Sequence, residues 1–377
     1  AMMRMYEQAF PKAYEGSKYG HRLPIGTIEV IDNFPYQALR DYYEKWYRPD
    51  QQGIIVVGNI DVDKVEAKIQ EVFSKIEMPA NAAERKYEQV PDNKEPIITI
   101  AKDKEQPSTM IYIWHKNPAT PNEAKGNIMY MAQNYMLSMI SSMLNARFNE
   151  LVQSANPPFI MGGAEYTDFL VAKTTEAFAG VAICKDDGIP TALSTLVREI
   201  ERARKFGFSA SEYARAKADY LRYLESAYNE RDKMKNNQYV QEYVRHFIDN
   251  EPIPGIETEY ALMNQLAPSI PVEAINTILP QLIKDENVVI NIFGPDKEGM
   301  VYPTEEEILD ILKKTKAEEI TAYVDKVSDE PLMKETPKAG KIVKTEAGPF
   351  GSTALTLSNG VRVVIKNTDF KADEIRM

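Results

Sequence analysis

Tyr19-Gly20-His21-Arg22-Leu23-Pro24-Ile25-Gly26-Thr27 is a loop sequence, because Gly20, Pro24 and Gly26 interrupt any regular element. The residues after this loop decide the fold. From Pro35 to Trp46, through Leu39-Arg40-Asp41-Tyr42-Tyr43, apolar and aromatic residues recur at helical spacing. Trp46-Tyr47-Arg48-Pro49-Asp50 ends that helix, since Pro49 has no backbone N–H to continue it. The run Ile54-Ile55-Val56-Val57 then predicts a strand that stops at Gly58-Asn59-Ile60-Asp61. Asp61 to Ile76 predicts an amphipathic helix with Val65, Ile69, Val72, Phe73 and Ile76 on one face. The rings of Tyr42, Tyr43, Trp46 and Tyr47 are expected to pack against the adjoining sheet.

The same order returns far downstream. A helical stretch Val272 to Ile283, the turn Lys284-Asp285-Glu286, the strand Val288 to Phe293, Gly294 and a helix Thr304 to Lys314 succeed one another. Gly58 and Gly294 lie 236 residues apart, so one α+β layout is expected twice, with the two strands in equivalent positions. The spacing divides the chain into residues 1–80 as the end of a first unit, a Pro- and charge-rich linker at 81–95, and a second unit at 96–324. A further linker comes next at 325–350, then the opening of a third unit at 351–377.

Within the second unit, strands are expected at Ile97 to Ala101, Met110 to Trp114 and Ala172 to Ile183. Helices are expected at Glu123 to Val152, Thr191 to Phe206 and Ser209 to Tyr228. Ser209 and Glu212 have capping-box spacing. Leu355 to Ile365 holds two alternating runs around Asn359-Gly360, a strong hairpin signal. Two strands alone bury too little apolar surface to be stable, so this hairpin is expected to need another sheet or chain.

With 377 residues, 44% of them hydrophobic, the chain can bury more than one core. Its net charge of −11 argues against nucleic acid or an anionic membrane as partners and leaves basic peptides as suitable ligands. The single cysteine, Cys184, excludes an intrachain disulfide and reads as a small buried hydrophobe. No run reaches the ~20 apolar residues of a spanning helix. Ala1 to Glu7 lacks the apolar core of a signal peptide, so compartment is undetermined; a periplasmic or secreted location is expected if a signal precedes the chain.

In content and order, Tyr19 to Thr27, Leu39 to Tyr43 with Trp46 to Asp50, and the strand that runs on to Asp61 resemble the second half of the catalytic domain of pitrilysin/insulinase-type zinc peptidases. That family uses an inverted metal motif and includes the mitochondrial processing peptidases. Leu144-Asn145-Ala146-Arg147-Phe148-Asn149-Glu150-Leu151 with Asn156-Pro157-Pro158-Phe159 is similar to the family segment after the first long helix. Glu199 to Ser209 with Glu212 to Lys217 is similar to its helix–Gly–helix joint, and Leu355 to Ile365 to the strand pair that opens the odd-numbered domains of four-domain members.

The resemblance implies a tandem α+β fold in which each unit is an antiparallel or mixed sheet packed by helices. It implies a zinc metalloendopeptidase that degrades peptides in a clamshell chamber, with this piece a non-catalytic wall that binds substrate. A non-catalytic structural or peptide-binding subunit of the same family is the alternative. The expected partners are peptides and the remaining domains of the parent chain, with oligomeric state open.

Catalysis in the family rests on an HxxEH motif and a later glutamate, which hold Zn²⁺ with an open position. In the family order these lie before the Tyr19 loop, so zinc is expected in the parent and none in this piece. No catalytic, cofactor-binding or metal-binding residue is assigned. His21, His115 and His246 each lack a second histidine at i+4 and read as ordinary surface or core-edge residues. Met129, Met136 and Met143, with Met131 and Met139, read as a buried stripe more than as an adaptable peptide groove. Arg198, Arg202, Arg204, Arg215, Lys217 and Arg222 interleave with acids and read as a solvated helix face. No Gly-rich phosphate loop, paired CxxC or nucleophile elbow occurs.

Overall fold

A computed structural model describes residues 1–327, 330–331 and 333–377. Its centre is a five-stranded sheet of β1 (Ile97–Asp103), β2 (Thr109–Pro118), β3 (Met161–Asp168), β4 (Thr175–Cys184) and β5 (Val288–Pro295), in the order β1-β5-β2-β4-β3. Only β1 and β5 run parallel; the other pairs are antiparallel, which makes the sheet mixed. β5 is buried at every position, so apolar residues occupy both of its faces without alternating, and the one polar side chain within Val288–Phe293, Asn291, donates to Thr99 Oγ1 at 2.6 Å. The two-residue period persists beneath that uniformity. Val288, Ile290 and Ile292 enter one core with Ile111 and Ile113, whereas Val289 and Phe293 face the opposite side with Trp114 and Ala101.

The first face is covered by α5 (Ile128–Val152), α6 (Ile189–Phe206), α7 (Ala210–Asn229), α9 (Ile256–Ser269), α10 (Val272–Leu282) and α11 (Glu305–Ala317). The second face is covered by α1 (Met2–Ala13), which buries Met5, Ala9, Phe10 and Ala13 along a helical stripe. Arg4 donates to both oxygens of Asp103 at 2.5 and 2.8 Å, Gln8 and Lys102 exchange two hydrogen bonds, and the Tyr14 hydroxyl donates to the Phe169 carbonyl at 2.7 Å. Residues on the near side of the expected division at residue 80 therefore cover one face of the far side's sheet.

The intervening segment differs from expectation in two ways. α2 (Ile28–Asn33), α3 (Tyr36–Trp46) and α4 (Val62–Phe73) form, with Thr27 and Asp61 accepting at the α2 and α4 N-termini. Ile54 to Val57, however, carries no strand pairing among the described residues, because no neighbouring strand lies beside it to share a ladder. It runs past α8 (Asn236–Asp249) instead, where a Cβ on Gly53 would meet the Phe247 ring at 2.9 Å. Tyr42, Tyr43 and Tyr47 are likewise exposed and not packed on a sheet; Tyr43 and Tyr47 stack on each other at 4.8 Å.

The capping box at Ser209 and Glu212 is present, and Gly207 separates α6 from α7 at φ +69°. Asn276 explains that glycine: its side chain accepts from Phe208 N–H at 2.8 Å and donates to Phe208 C=O at 3.0 Å, and a Cβ on Gly207 would lie 2.4 Å from it. The charged stripe on α6 is not a solvated face. Glu199 and Glu201 are buried, and Arg198, Arg202 and Arg204 bond to them or bridge to Glu318, Thr321 and Asp285 near α11. Of the methionine stripe, Met139 and Met143 are in the core, Met131 and Met136 border it, and Met129 is exposed.

β6 (Ile342–Ala347), β7 (Thr353–Leu357) and β8 (Arg362–Ile365) form a second sheet in that order. β7 and β8 are the expected hairpin, while β6 falls inside the stretch expected to be a linker. Residues 328, 329 and 332 of that stretch lie outside the described residues. The hairpin is thus a member of its own three-stranded sheet and does not extend the five-stranded one. The tail beyond it touches α7's end, where Asp373 N–H donates to Glu230 at 2.6 Å.

Candidate functional site

A concavity of about 1410 Å³ opens between the far edge of the five-stranded sheet and helices α5, α7, α8 and α9. Tyr166 and Asp168 reach it from β3, Glu176 from β4, Met131 and Tyr135 from α5, and Tyr220 and Tyr223 from α7. Tyr243 and Glu242 line it from α8, and Glu259 from α9. In the sequence, α8 was legible only as a helical setting for His246 and α9 not at all, so this wall of the cavity was missed.

The rim is held by charge pairs. Lys173 bridges Asp168 at 3.1 Å and Asp249 at 3.0 Å, and Lys125 donates to the Asp249 carbonyl at 2.8 Å while lying 3.4 Å from Glu251. The Tyr130 hydroxyl donates to Glu251 at 2.5 Å, and Arg231 meets Glu257 at 3.2 Å while lying over the Tyr228 ring. At the back, Tyr135 and Tyr213 share a hydroxyl contact of 3.0 Å, and Tyr213 donates on to Ile270 C=O at 2.8 Å. Burial raises the pKa of both phenols, so they remain neutral. Burial, then the adjacent Glu242, raises the carboxyl of Glu259 above its ordinary range, with Arg245 opposing.

This lining suits polypeptide more than chemistry. Tyrosines offer apolar faces with a polar tip, and carboxylates interleave with them, whereas the lining contains no histidine or cysteine. Nor do the three histidines converge elsewhere. His21 is exposed in its loop, and His246 on α8 faces the Glu251 carbonyl at 2.7 Å. His115 lies inside β2, buried against the Lys284 carbonyl at 3.0 Å, with its pKa lowered to about 4 chiefly by burial. Among the described residues no group of three or more His, Cys, Asp or Glu is placed to hold a metal ion, so this donor set does not fit the open three-ligand site of a catalytic zinc. Cys184 is buried in the core and its thiol is pushed up to about 11, first by burial. No helix among the described residues is long and apolar enough to cross a membrane.

A five-stranded mixed sheet carried by a helical layer, with a wide tyrosine- and acid-lined cavity beside it, defines an α+β domain. Residues 33–220 match the family described as Peptidase M16 inactive domain, and the chain belongs to that family of insulinase-like peptidases. It is 26% identical over 378 residues to the Zinc protease PQQL-like of Arabidopsis thaliana, covering 99% of this chain and 36% of that protein. It is also 26% identical over 349 residues to the Probable zinc protease PqqL of Escherichia coli K12, covering 91% of this chain and 36% of that one. The chain thus spans about a third of the length of the curated relatives it matches.

The crystal structure of the periplasmic protease PqqL from Escherichia coli superposes with a TM-score of 0.75 at 24% identity, over 97% of this chain and 40% of that one. A peptidase M16 inactive domain from Pseudomonas fluorescens superposes with a TM-score of 0.57 at 17% identity, over 80% of this chain and 66% of that one. These two likenesses establish the fold.

Proposed function

We propose that this chain is a peptide-binding, non-catalytic wall of a zinc metalloendopeptidase that degrades peptides in a clamshell chamber. The observation that carries this is the cavity of about 1410 Å³, lined by tyrosines and carboxylates in a family whose curated relatives bear zinc-protease names. Zinc, with its histidine and glutamate ligands, belongs in this reading to another domain of the parent protein, and none of the residues assigned here is catalytic. The division at residues 80, 95, 324 and 350 is kept as the proposed domain plan with two amendments: α1 packs on the second unit, and β6 joins the sheet of the third. A periplasmic location is proposed from the Escherichia coli relative, which is described as periplasmic.

The names of the relatives favour this reading over a purely structural subunit. It is tested by titrating the chain with unstructured peptides of about ten residues while monitoring both binding and cleavage. Binding without cleavage, unchanged by added Zn²⁺, is the expected result. Failure to bind any peptide, or zinc-dependent cleavage by this chain alone, overturns it.

A further inference from the structure

Acidic residues outnumber basic ones in this chain, 56 to 45, so a concavity in which the balance is reversed stands out. One such pocket, of about 290 Å³, lies where the loop after α1 meets residues 85–88. Lys18 and Arg22 line it from the loop, Arg85 and Lys86 from the facing segment, and Lys173 completes the set, with Glu88 the one carboxylate. Lys18 is neutralised by Glu88 at 2.9 Å, and Lys173 by Asp168 and Asp249. Arg22, Arg85 and Lys86 have no carboxylate partner among the described residues; Arg85 lies over the Tyr87 ring at 4.9 Å.

Cations gathered in a concave site raise the local concentration of anions, and guanidinium groups match a carboxylate in fork geometry. The pocket is also anchored. Tyr19, one of its walls, accepts a hydrogen bond from Lys173 N–H at 3.2 Å and packs its ring 5.3 Å from that of the buried Tyr14. Tyr87 and Lys173 line both this pocket and the large cavity, so the two are contiguous.

We infer that Arg22, Arg85 and Lys86 form a carboxylate-binding subsite for a peptide lying in the large cavity. It takes either the peptide's C-terminal carboxylate or an Asp or Glu side chain. The inference rests on the peptide-binding reading above and adds charge selectivity to it.

The test is calorimetric titration of the whole chain, at low salt, with three peptides of about ten residues and otherwise equal composition. One is amidated and ends in Asp-Asp, one has a free carboxylate and no acids, and one is amidated and uncharged. At least one carboxylate-bearing peptide is expected to bind about tenfold tighter than the uncharged one, an advantage removed in the R85E/K86E double variant and weakened by salt. An advantage held by the Asp-Asp peptide assigns side-chain recognition; one held by the free carboxylate assigns the chain end. Equal affinities on the unaltered chain, or an advantage that survives the double variant, overturn the subsite while leaving peptide binding intact. No binding of any of the three overturns both readings.

Discussion

Arg147 on α5 and Glu212 on α7 form a buried, two-pronged ion pair, Nε to Oε1 at 2.7 Å and Nη2 to Oε2 at 3.0 Å, with side chains 2% and 4% exposed. Arg147 also donates to the Gly207 carbonyl at 3.0 Å, and its guanidinium lies 4.7 Å from the Phe208 ring and 4.4 Å from that of Tyr323. Glu212 is at once the capping-box residue of α7, so one carboxylate ties the start of that helix to the long helix α5.

Arg147→Met therefore leaves Glu212 buried without its partner. It is expected to lower unfolding stability by about 3–5 kcal/mol, whereas R147M/E212L loses less than the sum of its two single variants. Chemical denaturation of the three variants measures this. Additive losses would show that the pair is uncoupled.

His115 gives the fold a pH dependence of definite sign. It is buried in β2 against the Lys284 carbonyl, near Lys316, Arg204 and Asp285, and its folded pKa of about 4 lies below the ordinary value of 6.5. A histidine with a depressed folded pKa binds its proton more readily when unfolded. Its contribution is fully present above pH 6.5 and is lost as pH falls from there towards 4. The loss by pH 4 is on the order of 3 kcal/mol. The difference in stability between pH 7 and pH 5 is expected to shrink in His115→Phe. If the variant keeps the full pH slope over that window, another group is responsible.

The second unit was legible in the sequence because its signals are local. Ser209 and Glu212 mark a helix start and Val288 to Phe293 is a buried strand, each within a few residues of chain, and in the third unit Asn359-Gly360 turns a hairpin for the same reason. β3 was missed since Met161-Gly162-Gly163-Ala164 carries little apolar signal; the glycines are there because a Cβ on Gly162 would lie 2.5 Å from the Phe159 ring. α8, with no buried residue, was read as a helix only around His246. The cavity needs β3 to α9 to be assembled, and no motif spans that distance. Ile54 to Val57 shows the reverse failure: a strong strand pattern remains unpaired when no strand lies beside it.

Phe10 is fully buried against the sheet, in one cluster with Trp114 and Phe169. Phe10→Ala is expected to cost about 3–5 kcal/mol. Trp114 is one of two tryptophans, so opening the α1 contact is also expected to shift its fluorescence to longer wavelength. An unchanged stability and spectrum would mean that α1 does not seal that face.

Limited trypsin digestion separates the packed unit from the segments beside it. Arg85 and Lys86 are exposed in a stretch without regular structure, as are Lys334, Lys338 and Lys341 beyond α11. Bonds of this kind are cut first, because they can enter a protease without unfolding anything else. The helices α6 and α7 are protected by contrast, with Leu193, Leu196, Ile200 and Leu224 in the main core. The expected first products are three: a large piece beginning near Tyr87 and ending at or before Lys341, an N-terminal piece and a short C-terminal piece. That N-terminal piece is expected to stay bound through gel filtration, since Met5, Ala9, Phe10 and Tyr14 are buried on the sheet and Arg4 holds Asp103. Denaturant then releases it. Early cleavage between residues 189 and 229 with both exposed stretches spared would refute the packing described here, and immediate dissociation of the N-terminal piece would refute the role of α1.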